Sequence, residues 1–278
     1  MSKTAAKKLS RIFLYTLAIF LGIAFITPFY YTLVNSLKGL FDTPNMMPQG
    51  FHFNNYRLAV TLIPFFEQLK SSLLLIVSDM IPCLIVNLMI GFAFARLKAP
   101  GKNFMFMLML STIILPYVAI QIPQFILFSK IGLTNTYWIW AINAFGGNGI
   151  YIFLYRQFFS GIPKELEESA RLDGCSIMGM LFRIFVPLAV PVIVIVTFQD
   201  FYWVWSDYMT PFMYLHYDKW PLSTALFGVT YTIENAPLAK LDSVVDAATI
   251  LLIIPVIAAF AFAQRHLVAG IATTGIKG

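Results

Sequence analysis

Long apolar runs separated by short polar stretches set the rhythm of this sequence. Six runs stand out, at residues 12–34, 69–95, 104–128, 137–155, 184–205 and 244–263. Each holds about 20 residues or more, enough at about 1.5 Å rise per residue to cross a hydrocarbon core of roughly 30 Å as a helix. Spanning strands are excluded, because barrel strands need only about 10 alternating residues. The third run is interrupted by Pro116 and Pro123, so its outer end is expected to be kinked or re-entrant, as tolerated where neighbouring helices or water satisfy the freed backbone groups. The pattern predicts an all-α integral membrane fold of about six transmembrane helices, forming a single domain over residues 1–278.

Composition agrees with this assignment. Of 278 residues 59% are hydrophobic and 12% charged, against roughly 25% charged in an ordinary soluble domain. One soluble core of this size cannot hide so much apolar surface, whereas a bilayer can.

Charge sets the orientation. With the N-terminus inside, the cytoplasmic segments carry Lys3, Lys7, Lys8, Arg11, Arg96, Lys98, Lys102, Arg156, Lys164, Arg171, Arg183, Arg265 and Lys277. That leaves Lys38, Arg57, Lys70, Lys130, Lys219 and Lys240 outside, 6 of the 19 basic residues. Positive charge stays in the cytoplasm, so both termini are expected inside. The net charge of +6 then reports topology and calls for no nucleic-acid partner. The first run has the basic lead of a secretory signal, but it is far longer than the usual apolar stretch of about 7–15 residues and lacks a small-x-small cleavage site.

Little in the chain suggests catalysis. The segment 270–277 looks at first like a phosphate loop, but Ile276 separates Gly275 from Lys277, and neither the strand before nor the helix after that such a loop requires is expected. His52, His216 and His266 are scattered over different loops, so no catalytic or metal site is assembled from them. Cys83 lies within the second run and Cys175 in a cytoplasmic loop, environments too different for a disulfide. Work against a gradient would have to draw its energy from a partner or a coupled ion.

The most informative stretch is cytoplasmic, within residues 158–183. It reads Gly161-Ile162-Pro163-Lys164-Glu165-Leu166-Glu167-Glu168-Ser169-Ala170-Arg171-Leu172-Asp173-Gly174. Pro163 suits the first helical position, and Glu165, Glu167 and Glu168 bring negative charge to the positive end of the helix dipole. Ile162, Leu166 and Ala170 recur every four residues as a short apolar stripe. Asp173-Gly174 stops the helix, since glycine accepts the left-handed conformation, and Ser176 can cap a second helix. From these residues alone, an ordinary helical loop and a knob shaped for a socket on another protein both remain open.

The wider pattern resembles the EAA loop of ABC-importer permeases, on Glu168-Ser169-Ala170-Arg171-Leu172-Asp173-Gly174 followed by Pro187-Leu188 and Pro191. Ser169 replaces the commonest alanine. The likeness extends along the chain and is nearest the carbohydrate branch, the maltose-type inner permeases. It is carried by Pro28-Phe29-Tyr30 through Ser36-Leu37-Lys38, Asn54-Asn55-Tyr56, Gly91-Phe92-Ala93-Phe94-Ala95-Arg96-Leu97 and Gly132-Leu133-Thr134-Asn135-Thr136. Trp205-Ser206-Asp207-Tyr208 with Pro211, and the tail 264–278, complete it. In that family an asparagine usually follows the tryptophan, so Ser206 is a departure.

The resemblance implies the type I importer fold in a bacterial or archaeal cytoplasmic (inner) membrane. The implied partners are a second homologous permease, a dimer of cytoplasmic ATPase subunits that binds the ATP and Mg, an extracytoplasmic solute-binding protein and a carbohydrate, expected to be an oligosaccharide. This chain would hold no cofactor and catalyse nothing. Pro163, Leu166, Glu167, Glu168, Ser169, Ala170, Asp173 and Gly174 would form the ATPase-docking knob, with Glu168 its acidic contact, and the tail 264–278 would reach between the ATPase subunits. A rigid knob of this kind turns a domain rotation into alternating access.

Polar residues inside spans are costly and by default face the bundle interior or a water-filled cavity. Gln199, Asp200, Trp203, Ser206 and Asp207 share a helical face by their three- and four-residue spacings. A carboxylate, an amide and an indole on one stripe suit a sugar's hydroxyls and its apolar face. Contact with the partner permease explains the stripe as well. Asn148, Tyr151 and Tyr155 share a face in the fourth run, beside Gly146-Gly147, which permits local unwinding or close helix packing, with packing favoured by the small-residue rule; Asn148 and Tyr151 join Gln199, Asp200, Trp203 and Asp207 as the candidate substrate path. Asp79 has no obvious mate in the chain. The main alternative is an ion-coupled secondary transporter using Asp79, Asp200 and Asp246, but no internal repeat supports it and it leaves the acidic knob unexplained.

Overall fold

The computed structural model describes residues 3–228 and 241–274, with side chains described somewhat less far at the edges of these ranges. All regular structure among the described residues is helical. Three helices pass the length and hydropathy needed to cross a membrane alone, through Ser10–Ser36, Phe65–Arg96 and Asp242–Arg265. They belong to α1 (Lys3–Ser36), α3 (Phe65–Arg96) and α14 (Asp242–Thr274). Between them lie α2 (Asn54–Thr61), α4 (Lys102–Ser111), α5 (Tyr117–Lys130), α6 (Trp138–Phe145), α7 (Gly149–Ser160) and α8 (Lys164–Leu172). Then come α9 (Ile177–Met180), α10 (Val186–Leu188), α11 (Val190–Ser206), α12 (Met209–Tyr214) and α13 (Leu222–Gly228).

The middle runs are broken, and each break has a local cause. The third run becomes α4, a 3₁₀ turn at Thr112–Ile114 and α5, with a bend of 98° between Lys102–Ile114 and Tyr117–Lys130. Leu115 is extended (ψ 121°) and so is Pro116 (ψ 126°), as expected for the residue before a proline and for a proline that opens a helix. The fifth run bends by 79° between Ile177–Leu188 and Val190–Ser206. The fourth is cut at Gly146-Gly147 into α6, of 8 residues, and α7, of 12, neither long enough alone for about 30 Å of hydrocarbon. Length and hydropathy therefore give three crossings, or up to five with each bent pair counted as one. At the other end α14 continues to Thr274. Of the expected tail, the side chains from His266 onward, including Lys277, lie outside the described residues, as does Lys240.

The chain forms two compact units, the described parts of Met1–Phe66 with Gly228–Ile254, and of Glu67–Phe227 with Pro255–Gly278. In the first, Ile12, Phe13, Tyr15, Phe20, Phe25 and Ile26 of α1 are all more than half exposed, the kind of bare apolar surface that a membrane or partner helix covers. Two of the resembling segments meet here. Asn55 Nδ2 donates to the carbonyls of Ser36 (2.9 Å) and Lys38 (2.7 Å), and the Tyr56 and Ser36 hydroxyls are 2.8 Å apart. Lys38, only 1% exposed, donates to the carbonyls of Thr43 and Asn45. This is a clip that closes the chain after α1.

The second unit has an aromatic core. Phe92 meets Phe159 and Phe185 edge-on at 5.9 and 4.9 Å between centroids, the arrangement ring quadrupoles prefer. α3 and α7 approach closely at Gly91, where a Cβ would collide with Tyr155 Cβ and lie 3.2 Å from the Arg156 amide nitrogen.

Candidate functional site

Two features of the second unit carry the candidate chemistry, the loop around α8 and a polar cavity. The loop folds as its residues dictate. Pro163 is extended (ψ 139°) and α8 starts at Lys164, one residue later than the sequence suggested, with Glu165 and Glu167 in its first turn. At its end Gly174 has φ +73°. Its amide donates to Arg171 O (3.1 Å) and that of Cys175 to Ala170 O (2.9 Å), the paired bonds of a Schellman stop. Ser176 Oγ then accepts from Gly179 N at 3.1 Å and caps α9, after which a π-helical turn, Leu181–Phe185, leads toward α11.

The expected apolar stripe divides. Ile162 and Ala170 are buried, while Leu166 is 45% exposed and Leu172, at the tip, 89%. Glu168 and Ser169 are exposed. Glu167 turns inward, with its carboxylate 2.7 Å from Arg171 Nη2 and 3.7 Å from Arg96 Nη1. Of the eight residues assigned to docking, Glu167 and Ala170 therefore serve the loop's own structure. The reason is angular. Ala170 lies on the turn facing the core, and Glu167, three residues earlier on that side, reaches the cation at the end of α3.

Arg96 was not singled out from the sequence beyond its place in a resembling segment. Its side chain is only 6% exposed, donates from Nη2 to Phe159 O (2.5 Å) and to Ile162 O, and lies 5.1 Å from the Phe185 ring centroid. It binds the end of α3 to the turn that opens α8.

The cavity has a volume of about 280 Å³. α3 contributes Asp79, Cys83 and Asn87, α5 Tyr117, Ile120 and Gln124, and α6 Trp140, Asn143 and Ala144. The 146–148 break and α7 add Gly147, Asn148 and Tyr151, and the remainder comes from Asp200, Trp203, Val204, Asp207 and Thr210. The break in the fourth run forms part of its wall. Gly147 has φ +75°, Asn148 caps α7 through its side chain, and the Asn148 amide donates to Asn87 Oδ1 at 2.6 Å.

Of the six residues assigned to a substrate path, Asn148, Tyr151, Asp200, Trp203 and Asp207 line this cavity, and Gln199 does not. Gln199 is exposed, as is Ser206, whose hydroxyl donates to Tyr202 O at 2.7 Å. At about 100° per residue the lining residues of α11 centre near Asp200, and Gln199 and Ser206 fall off that arc by about a right angle. Tyr155 is fully buried beside Gly91 and serves packing.

Asp79 does have neighbours. Ligand atoms of Asp79, Cys83 and Asp200 all lie within 4.8 Å of one another, the one such set among the described residues that could ligate a cation through three side chains. Cys83 Sγ donates to Asp200 Oδ1 (3.2 Å) and accepts from Asn87 Nδ2 (3.3 Å). Elsewhere in the cavity Gln124 Nε2 donates to Asn143 Oδ1 (2.7 Å), and Tyr117 OH pairs with Thr210 Oγ1 (3.1 Å). Asp207 Oδ1 accepts from the Met209 and Thr210 amides at the start of α12. The cavity-lining role of Cys83, Asn87, Tyr117, Gln124, Asn143 and Thr210 was missed from the sequence. The signal was available, since the cost of a polar group inside an apolar run applies to Asn87, Gln124 and Asn143 as much as to Asp200.

Residues 87–273 match the family described as binding-protein-dependent transport system inner membrane component. The chain belongs to that family. It is thus a multi-pass inner membrane component of an ABC importer, and the ion-coupled alternative is set aside. Permeases of this family are the non-catalytic transmembrane parts of such importers. The permease is 29% identical over 269 residues to a probable starch degradation products transport system permease protein, AmyC, of Thermoanaerobacterium thermosulfurigenes, covering 94% of this chain and 95% of that one. It is 30% identical over 195 residues to an arabinooligosaccharides transport system permease protein, AraQ, of Halalkalibacterium halodurans, covering 70% and 68%. With the melibiose/raffinose/stachyose import permease protein MelC of Bacillus subtilis it shares 27% over 282 residues, 99% of each chain. The fold matches a chain of a bacterial ABC transporter that imports the acidic polysaccharide alginate, with TM-score 0.81, 20% identity and coverage of 95% and 98%.

Proposed function

We propose that this permease forms half of the translocation path for a saccharide, with the cavity around Asp200 and Trp203 as its substrate-facing surface and the α8 knob as its ATPase-docking element. The observation that carries the docking assignment is the outward face of α8. Glu168 and the almost fully exposed Leu172 stand on a helix whose inner face is fixed by Ala170, Glu167 and Arg96. An apolar tip beside an acidic side chain, on a braced element, suits a socket with a basic rim. Pro163, Leu166, Ser169, Asp173 and Gly174 would shape or line the contact.

The saccharide reading draws on what the relatives are named for, and on a cavity that combines carboxylates, amides and an exposed indole. The permease would work with a second, homologous permease, a pair of ATPase subunits and an extracytoplasmic binding protein. α6 and α7 would together supply a sixth, broken crossing. Both termini would lie in the cytoplasm, following the bias of Lys and Arg.

The test is Glu168→Lys in the complete transporter. Reversing one partner of an interfacial charge pair costs roughly 2–5 kcal/mol, so the ATPase subunits should no longer co-purify with a normally inserted permease. Normal assembly and normal uptake in that variant would defeat the docking assignment.

A further inference from the structure

The charged side chains lining the proposed substrate cavity are all of one sign. Among its lining residues the charged types are Asp79, Asp200 and Asp207, and no Lys, Arg or His is present. Neither ion pair found among the described residues involves these carboxylates. Asp200 is 4% exposed; its Oδ1 accepts from Cys83 and its carboxyl also meets that of Asp79, while its buried Oδ2 has no donor from any other residue. Two of the lining amides already donate within the cavity. Asn87 Nδ2 is held by Cys83, and the Gln124 side-chain amide donates to Asn143. A buried acceptor without a donor is costly until a donor arrives, and a sugar hydroxyl supplies one without adding charge.

We infer that the surface this permease gives to the path selects saccharides free of carboxylate groups, held through hydroxyl donors at Asp79 and Asp200 with the ring against Trp203. The inference rests on the reading of this cavity as the substrate path. It also separates the permease from the structural neighbour whose cargo is an acidic polysaccharide. A uronate here would add a further carboxylate beside Asp207 and the Asp79–Asp200 pair, in a cavity whose lining offers no cation and where repulsion is less screened than in water.

The test uses the complete transporter in nanodiscs without its binding protein, so that only the permeases select. Emission of Trp203, isolated by subtracting a Trp203→Phe complex, is titrated with maltotriose, trigalacturonate and the glucosamine trisaccharide at matched ionic strength. Maltotriose and the glucosamine trisaccharide should give saturable changes, with trigalacturonate weaker by about tenfold or more. Asp79→Asn and Asp79→Asn with Asp200→Asn should narrow that gap, each variant being checked for ATPase assembly. Asp79 is the less buried of the two, so its single variant keeps the test open if the double variant misfolds. Equal or tighter binding of trigalacturonate, or a gap unchanged in the variants, overturns the inference and leaves the path reading standing. If no saccharide alters Trp203 emission, the path reading falls and the inference with it.

Discussion

Arg96 offers the sharpest test of how the loop is joined to the rest of the permease. Its guanidinium donates to two backbone carbonyls, those of Phe159 and Ile162, and faces Glu167 at 3.7 Å and the Phe185 ring at 5.1 Å. Each hydrogen bond from a charged group contributes about 1.5–3 kcal/mol, and breaking a buried charge pair by removing one partner costs roughly 3–5 kcal/mol. These effects overlap, because Glu167 keeps Arg171 at 2.7 Å and water reaches part of the vacated site. A net loss of about 3–5 kcal/mol in the attachment of the 159–172 segment is the working figure for Arg96→Ala. At 1.4 kcal/mol per tenfold, the lower bound corresponds to amide exchange about a hundredfold faster in that segment. Exchange should change little in α11, and the ATPase subunits should still bind, because the exposed face of α8 is intact. Transport coupling should suffer, with more ATP hydrolysed per substrate moved. Arg96→Lys should fall between the two, since a single ammonium cannot reproduce the planar fork that reaches both carbonyls. Wild-type exchange at 159–172 together with wild-type stoichiometry in Arg96→Ala would refute the reasoning.

Three further substitutions test other parts of the structure. Gly91→Ala places a methyl group against Tyr155 and near the Arg156 backbone; α3 and α7 must separate, and a loss of roughly 1–3 kcal/mol is expected in thermal or denaturant melts. A neutral result there would show that the two helices are less tightly joined. Gly174→Ala meets no atom within 4 Å but keeps φ at +73°, so its cost of about 1–2 kcal/mol is conformational; Gly174→Asn should cost less, and both are read by ATPase co-purification. Trp203→Ala should lower saccharide uptake while leaving ATPase attachment unchanged, because this 59% exposed side chain packs edge-on against Tyr117 and is not a main support of the core. Unchanged uptake would return Trp203 to a packing role.

The membrane class, the helical runs and the α8 loop were legible because each rests on local rules. Hydropathy marks the runs, Asp173-Gly174 marks the stop, and Ser176 marks the next cap. What was not legible depended on tertiary placement. The sequence shows Glu167 and Glu168 as adjacent acids on one helix, and only the position of Arg96 separates the inward residue from the outward one. Asp79 had no visible mate, because its neighbour Asp200 lies 121 positions away in the chain. At Gly146-Gly147 the small-residue rule favoured packing over unwinding; the unwinding is what the fold uses, with Asn87 bonding the freed Asn148 amide. The close packing of α3 on α7 falls instead at Gly91, a residue whose place in a resembling segment had no physical explanation until Tyr155 was found against it.

The arrangement of α3 relates the two candidate sites. From Asp79 to Arg96 it is about 26 Å at 1.5 Å per residue, with the cavity at one end and the clamp on the loop at the other. Between them, Asn87 bonds the amide that opens α7 and Gly91 lets α7 press against α3, so α7 is tied to α3 along much of its length. The turn leaving α7 is the one whose carbonyls Arg96 holds, and α8 begins directly after it. A displacement of α8 by a docked partner would therefore be resisted by the α3–α7 pair as a unit, not absorbed by a slack loop. Motion of that pair moves Asp79, Cys83, Asn87, Asn148 and Tyr151 together, while Asp200 and Trp203 sit on α11, which the loop reaches through the π-helical turn. The cavity is thus lined by two groups of residues with separate connections to the same loop. Rotation of the loop need not move both groups equally, and a difference between them is what would open or close the contact between Asp79 and Asp200.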